Sequence, residues 1–133
     1  MRTSFGIRDF VEYLKDDGEL LILSTPLSPK FEISTVLSEL GKKEAPAILF
    51  EKVKGYKFPV LGNLLGTKKR LSMALGINQE NFFENALSKI QERIPPVLIK
   101  DPSPKEVIVP KGKKDLLTLL PILTHYRKDS GSY

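Results

Sequence analysis

The residues best placed to do chemistry lie in Gly62-Asn63-Leu64-Leu65-Gly66-Thr67, followed by Lys68-Lys69-Arg70. A strand that passes through glycines into a helix start exposes backbone N–H groups that can hold an anion, and flanking lysines would add charge. Neither the P-loop spacing nor the dinucleotide fingerprint is present. The spacing therefore favours a strand-to-helix turn in which glycine permits close packing and Thr67 caps the helix. The one histidine, His125, sits in Thr124-His125-Tyr126-Arg127-Lys128-Asp129. As a general base it would need a nucleophile or carboxylate at hydrogen-bond distance, and a structural role fits better. Asp16-Asp17 and Glu80/Glu84 are the acidic pairs. The first ends an amphipathic helix, and the second lies in a first helical turn, where acids complement the dipole. Lys68-Lys69-Arg70 and Lys111–Lys114 are the basic clusters. Nucleic-acid recognition would add exposed aromatics, whereas Phe82 and Phe83 suit a buried helix face. Spacing and chemistry alone thus assign no catalytic, cofactor-binding or metal residue.

These groups must be positioned by a single small domain's worth of chain. The 133 residues are 41% hydrophobic and 28% charged, enough for a packed core. The absence of cysteine excludes disulfides and thiolate chemistry, and a single histidine excludes sites needing several imidazoles. No apolar run approaches the roughly 18 residues of a membrane span, so a soluble, cytoplasmic domain is expected. The net charge of +5 is uneven: residues 1–51 carry six basic and nine acidic groups, residues 52–133 fifteen and seven. Such asymmetry suits an anionic partner or, more plainly, a solvated lysine-rich face.

Ile7, Phe10, Val11 and Leu14 predict a first helix, capped by Thr3 or Ser4 and ended by Gly18. Glu19–Leu23 reads as a strand covered on both faces, because its leucines and isoleucine do not alternate with polar residues. Ile33, Val36, Leu37 and Leu40 give a second helix stopped by Gly41. Ala47–Val53 and Phe58–Gly62 read as strands of a hairpin around Lys54-Gly55. Thr67 opens a third helix with Leu71, Ala74 and Leu75 as its apolar face, ended by Gly76. Asn78 caps a fourth, with Phe83, Ala86, Leu87 and Ile90 as one stripe, terminated by Pro95-Pro96. Five of the ten prolines lie between Pro95 and Pro110. Val97–Ile99 and Val107–Val109 are short extended pieces there, and Asp115 caps a last turn through Leu120. The expectation is an α/β (α+β) domain over residues 1–95, a small mixed-sheet sandwich with four helices. An extended proline-rich linker over residues 96–133 follows, its apolar residues held by contacts outside the domain.

Several stretches together resemble the UbiD-type decarboxylases. They are Ile7–Leu14 with Gly18-Glu19-Leu20, Glu32-Ile33, Pro46–Gly55, Phe58–Thr67 with Arg70-Leu71 and Ala74-Leu75-Gly76, and Asp115–Leu117 through Leu120–Tyr126 with Asp129, Gly131 and Tyr133. The resemblance implies part of a carboxy-lyase, in non-oxidative, reversible decarboxylation of an aromatic or α,β-unsaturated acid. It also implies prenylated FMN, a divalent metal such as manganese, potassium, and a homo-oligomer. The family's flavin, metal and catalytic residues lie downstream of this stretch, so no residue here inherits those roles. The expectation is an N-terminal domain that is catalytically silent alone and partners a flavin-binding domain in the same or a separate chain. Alternatives are a separately encoded accessory subunit or a small basic nucleic-acid-binding protein.

Overall fold

A computed structural model describes residues 6–91, 95–98, 100 and 116–129. Its elements are α1 (Ile7–Asp16), β1 (Leu20–Leu23), α2 (Glu32–Gly41), β2 (Ala47–Phe50), β3 (Val60–Gly62), α3 (Lys68–Leu75), α4 (Phe82–Gln91) and the single turn α5 (Leu116–Leu119). The fold is the expected small α/β domain, with four helices of two turns or more around a three-stranded mixed sheet.

The sheet runs in the order β1-β2-β3. β1 pairs parallel with β2, Leu20 opposite Ala47 through Leu23 opposite Phe50. β3 returns antiparallel, Phe50 opposite Val60 and Ile48 opposite Gly62. β2 is central and carries the burial: Ala47, Ile48 and Phe50 are wholly buried. Successive residues point to opposite faces. Ile48 and Phe50 join Val53 and Ile33 on one face, where Val36, Leu37 and Leu40 of α2 pack. Ala47 joins Phe10 and Leu14 of α1 on the other, with Leu20, Leu64 and Met73 beside them. The predicted face of α2, and Phe10 and Leu14 of that predicted for α1, are therefore the ones that meet the sheet, whereas Ile7 at the start of α1 stays exposed.

β1 departs from expectation. It is an edge strand, and Leu21 and Ile22 are each 39% exposed. An apolar run identifies a strand but does not say that both faces are covered. β2 and β3 are shorter than predicted. Val53 only bridges Leu27 in isolation, and Pro59, lacking an N–H, precedes β3 rather than joining it.

The helix ends agree with the sequence pattern at α3 and depart from it at α2 and α4. Thr3 and Ser4 lie outside the described residues, and the N-cap of α1 is Gly6, whose N–H donates to Asp9 Oδ2 at 3.2 Å. Gly18 follows α1 at φ 73°, a conformation that costs glycine little and turns the chain into β1. Gly41 is the last residue of α2 and Lys42 its C-cap. Thr67 caps α3 as predicted, its Oγ1 accepting the Arg70 N–H at 3.2 Å, and Gly76 ends it at φ 63°. Asn78 does not cap α4; its Oδ1 accepts the Glu80 N–H two residues on, in a turn ahead of the helix.

The apolar faces predicted for α3 and α4 are not where burial falls. In α3, Ala74 and Leu75 are exposed while Arg70 and Ser72 are buried. In α4 no residue is buried. Of the predicted stripe Phe83, Ala86, Leu87 and Ile90, Ala86 is half-buried, but Phe83, Leu87 and Ile90 are 82%, 58% and 77% exposed. Beyond α4, Val97 and Leu98 stand exposed outside any strand. Ile99, Val107–Val109, Lys111–Lys114 and Asp115 lie outside the described residues.

The end of the described chain returns to the domain. Thr124 bridges Lys30; its carbonyl accepts the Phe31 N–H at 3.1 Å and its N–H donates to the Pro29 carbonyl at 3.1 Å. Ser34 Oγ also donates to that Thr124 carbonyl, and Leu123 packs on the α2 side of the core. Leu123-Thr124 is thus an exception to the expectation that the tail is held largely by contacts outside the domain. Paired backbone groups and one half-buried leucine provide the anchor.

Candidate functional site

Among the described residues, the one buried charged side chain, Arg70, lies at the turn from β3 into α3. Asn63 sits at φ 53°, a left-handed conformation that asparagine tolerates better than most residues. From there its Nδ2 donates to the carbonyls of Ala45 (2.8 Å) and Pro46 (3.1 Å), tying the turn to the entry of β2. A side chain at Gly66 would collide with that of Asn63, and one at Gly62 with Leu37. The glycines thus serve close packing.

Arg70 enters this turn from the first turn of α3 and is fully buried. Its Nε donates to the Leu64 carbonyl at 3.2 Å. Nη2 donates to the carbonyls of Ala45 (2.9 Å) and Asn63 (3.2 Å). Nη1 meets Glu19 Oε2 at 2.8 Å. A buried guanidinium is tolerable only when its donors are met in this way. Glu19 also pairs with Lys69 at 2.7 Å, and Lys69 with Asp17 at 2.9 Å. The network links the end of α1, the entry to β1 and the start of α3. The Glu19 carboxyl is held below the ordinary glutamate range, first by the Lys69 hydrogen bond and then by that of Arg70. Lys69 is raised, first by Glu19 and then by Asp17.

The basic cluster read from sequence is therefore largely engaged. Arg70 and Lys69 face carboxylates, and Lys68 Nζ lies 5.7 Å from the centre of the Phe82 ring. The arrangement leaves little of Lys68-Lys69-Arg70 for a phosphate, which removes the main support for a nucleic-acid surface there. Sequence reasoning placed Arg70 in a charged patch and passed over Glu19. The available signal was a glutamate directly after a helix-ending glycine, but its partner lies 51 residues away.

The remaining candidates do not converge. His125 is exposed, and the nearby Asp129 uses Oδ2 to accept the backbone N–H groups of His125 (2.7 Å) and Tyr126 (2.8 Å). The carboxylate thus shapes its own loop. His125 and Tyr126 border a groove of about 470 Å³ with Ser34, Ser38 and Glu39 of α2. Asp16, Glu80 and Glu84 are exposed. Among the described residues no three His, Cys, Asp or Glu side chains group to hold a metal, and no helix is long and apolar enough to cross a membrane. These residues do not fit a flavin or metal site: the buried cation is committed to carbonyls and Glu19. Phe83, expected on a buried face, instead lies with Leu87 and Ile90 in the exposed stripe of α4.

The sheet order, the flanking helices and the Asn63–Arg70 joint define a small α/β unit. Residues 11–90 match the family model of the 3-octaprenyl-4-hydroxybenzoate carboxy-lyase N-terminal domain, and the chain belongs to that UbiD family. It is similar to the UbiD-class enzyme HmfF from Pelotomaculum thermopropionicum, solved in complex with FMN. Identity is 32% and the TM-score 0.81, over 94% of this chain and 28% of that one. An evolved dimeric form of HmfF, in complex with prFMN, matches at 30% identity and TM-score 0.82, over 97% of this chain and 30% of that one. Vanillic acid decarboxylase of Sedimentibacter hydroxybenzoicus, in its open form, shares the fold at 24% identity and TM-score 0.83, over 98% of this chain and 29% of that one. The chain spans less than a third of the length of these solved chains.

Proposed function

We propose that this chain works as the N-terminal domain of a UbiD-type carboxy-lyase, in the non-oxidative, reversible decarboxylation of an aromatic or α,β-unsaturated acid. The observation that carries the reading is the family match over residues 11–90. The flavin-bound state of HmfF supports prenylated FMN as the cofactor of the whole enzyme, with a divalent metal and potassium beside it. In this reading the domain itself is catalytically silent. Its polar network is directed inward, at the Ala45, Asn63 and Leu64 carbonyls. A cofactor would supply the electron sink for the carbon that loses carbon dioxide, and residues outside the described ones would hold it. The working enzyme is cytoplasmic and a homo-oligomer.

The test is reconstitution of the purified chain with prenylated FMN, manganese and potassium. The expected result is no carbon dioxide release from a panel of aromatic and acrylic acids, and no flavin absorbance travelling with the protein through gel filtration. Either signal would overturn the silent-domain reading.

A further inference from the structure

Phe31 stands at φ 71° and ψ −36° immediately before α2. The Glu32 N–H donates to the Lys30 carbonyl at 3.0 Å and closes a three-residue turn over it. This is the rare, strained form of the γ-turn, and a bulky side chain makes positive φ costly. Such a residue keeps its conformation only where the surroundings over-determine it. Two clamps do so here. In the first, Glu32 Oε2 accepts the Ser28 N–H at 2.6 Å and meets Lys54 Nζ at 3.0 Å, while the Ile33 N–H donates to the Ser28 carbonyl at 3.2 Å. The second is the tail. The Thr124 carbonyl accepts from the Phe31 N–H and the Ser34 hydroxyl, and the Thr124 N–H donates to the Pro29 carbonyl. Leu123 packs on the core cluster that contains Ile33.

We propose that these groups form a latch: seating Leu123-Thr124 holds Phe31 in its strained turn, and lifting them lets Phe31 relax and the entry of α2 rearrange. The inference goes beyond the carboxy-lyase reading and does not depend on it. The two clamps differ in how readily they open. The Glu32 clamp is local, between residues four apart, and its carboxylate makes charge-assisted bonds. The tail clamp joins Ser34 to Thr124 across 90 positions, so its closure orders far more chain. It rests on neutral hydrogen bonds and one half-buried leucine, and the residues that follow it, His125 to Lys128, are exposed. Local opening begins where buried contacts are few, so the tail clamp is the one that releases. Strain at Phe31 favours that release, because opening relieves it. The effect reaches the groove of about 470 Å³ that α2 forms with His125 and Tyr126. With the latch open, this groove loses the wall that the tail provides.

The experiment is hydrogen exchange and backbone NMR on the 133-residue chain. Phe31→Gly and Phe31→Ala both remove the ring, but only glycine takes positive φ without strain. The Thr124 amide should exchange about fivefold slower in Phe31→Gly than in Phe31→Ala, whose latched state keeps the strain. Equal exchange at Thr124 in the two variants overturns the latch, because the strain is then not relieved when the tail lifts. Leu123→Asp unseats the tail from the other side. It should speed exchange at the Phe31 and Glu32 amides by about tenfold or more, and move the chemical shifts of residue 31 out of the positive-φ range. The Ala47 amide, which donates to the Glu19 carbonyl at 2.9 Å, should stay protected and report an intact sheet. Ser34→Ala withdraws one hydroxyl from the Phe31 and Thr124 carbonyls. It should give a smaller change in the same direction, and it carries the test if Leu123→Asp unfolds the domain. Positive φ retained at Phe31 while the tail amides exchange freely overturns the proposal and assigns the turn to the Glu32 clamp alone.

Discussion

α3 and α4 follow one another in the chain and are built in opposite ways. α3 is polar in sequence, Lys-Lys-Arg-Leu-Ser-Met-Ala-Leu, yet it buries Arg70 completely. α4 carries a clean apolar stripe and buries nothing. A charged group goes inside when the backbone it meets offers enough acceptors, and the Ala45, Asn63 and Leu64 carbonyls with Glu19 do so. An apolar face goes inside only when the fold presents a surface to it. Periodicity marks the face that needs burial and does not reveal whether the same domain supplies the cover.

The contrast can be broken most sharply at Arg70. Arg70→Ala withdraws the guanidinium donors from three carbonyls, although that of Ala45 keeps the Asn63 amide and that of Asn63 the Gly66 N–H, and it leaves Glu19 without its buried partner. It should destabilise the domain by about 3–5 kcal/mol, as for a severed buried pair, measured by urea unfolding. A loss under about 1 kcal/mol would show that the guanidinium is not integral to the joint. Asn63→Gly keeps the left-handed backbone and removes only the amide donors to Ala45 and Pro46. A loss of about 1–3 kcal/mol is expected, and an unchanged midpoint would place the weight of the turn elsewhere. Thr67→Ala removes the Arg70 N–H acceptor at the N-cap and should cost about 1 kcal/mol.

The same joint should be sensitive to acid. Glu19 titrates lower folded than unfolded, so its contribution is fully present above the unfolded value of about 4.3. It is lost as pH falls through the lower folded value. Unfolding midpoints should therefore drop below about pH 4, and Glu19→Gln should flatten part of that slope. The remainder belongs partly to Glu32, which is lowered first by the Ser28 N–H and then by Lys54. A Glu19→Gln profile parallel to wild type would contradict this. The smallest effect is expected at the other pole of the comparison. Leu87→Ser in the isolated chain should shift stability by no more than about 0.5 kcal/mol, as at an exposed surface. A loss of 2 kcal/mol or more would mean that α4 is covered within this chain after all.

Much of the domain was legible because local rules decide it. The 3.6-residue spacing of Phe10 and Leu14, and of Ile33, Val36, Leu37 and Leu40, named the faces that meet the sheet. Thr67 and Gly76 bracketed α3 through a hydroxyl acceptor and a left-handed backbone, both properties of single residues. The glycines of the β3–α3 turn were read as packing devices, and Leu37 and Asn63 are what they pack against. The apolar run of β1 was enough to identify a strand, although its edge position leaves Leu21 and Ile22 half exposed.

What the sequence alone determined is thus the set of elements, their order, the caps of α3 and the family that shares them. The tertiary structure decided which face receives cover, because cover is a property of the neighbour and not of the segment. It also brought Glu19 to Arg70 across 51 positions, and Thr124 back to Lys30 and Ser34. No local periodicity encodes such meetings. They follow from strand order and from the requirement that a buried guanidinium and buried carbonyls satisfy one another.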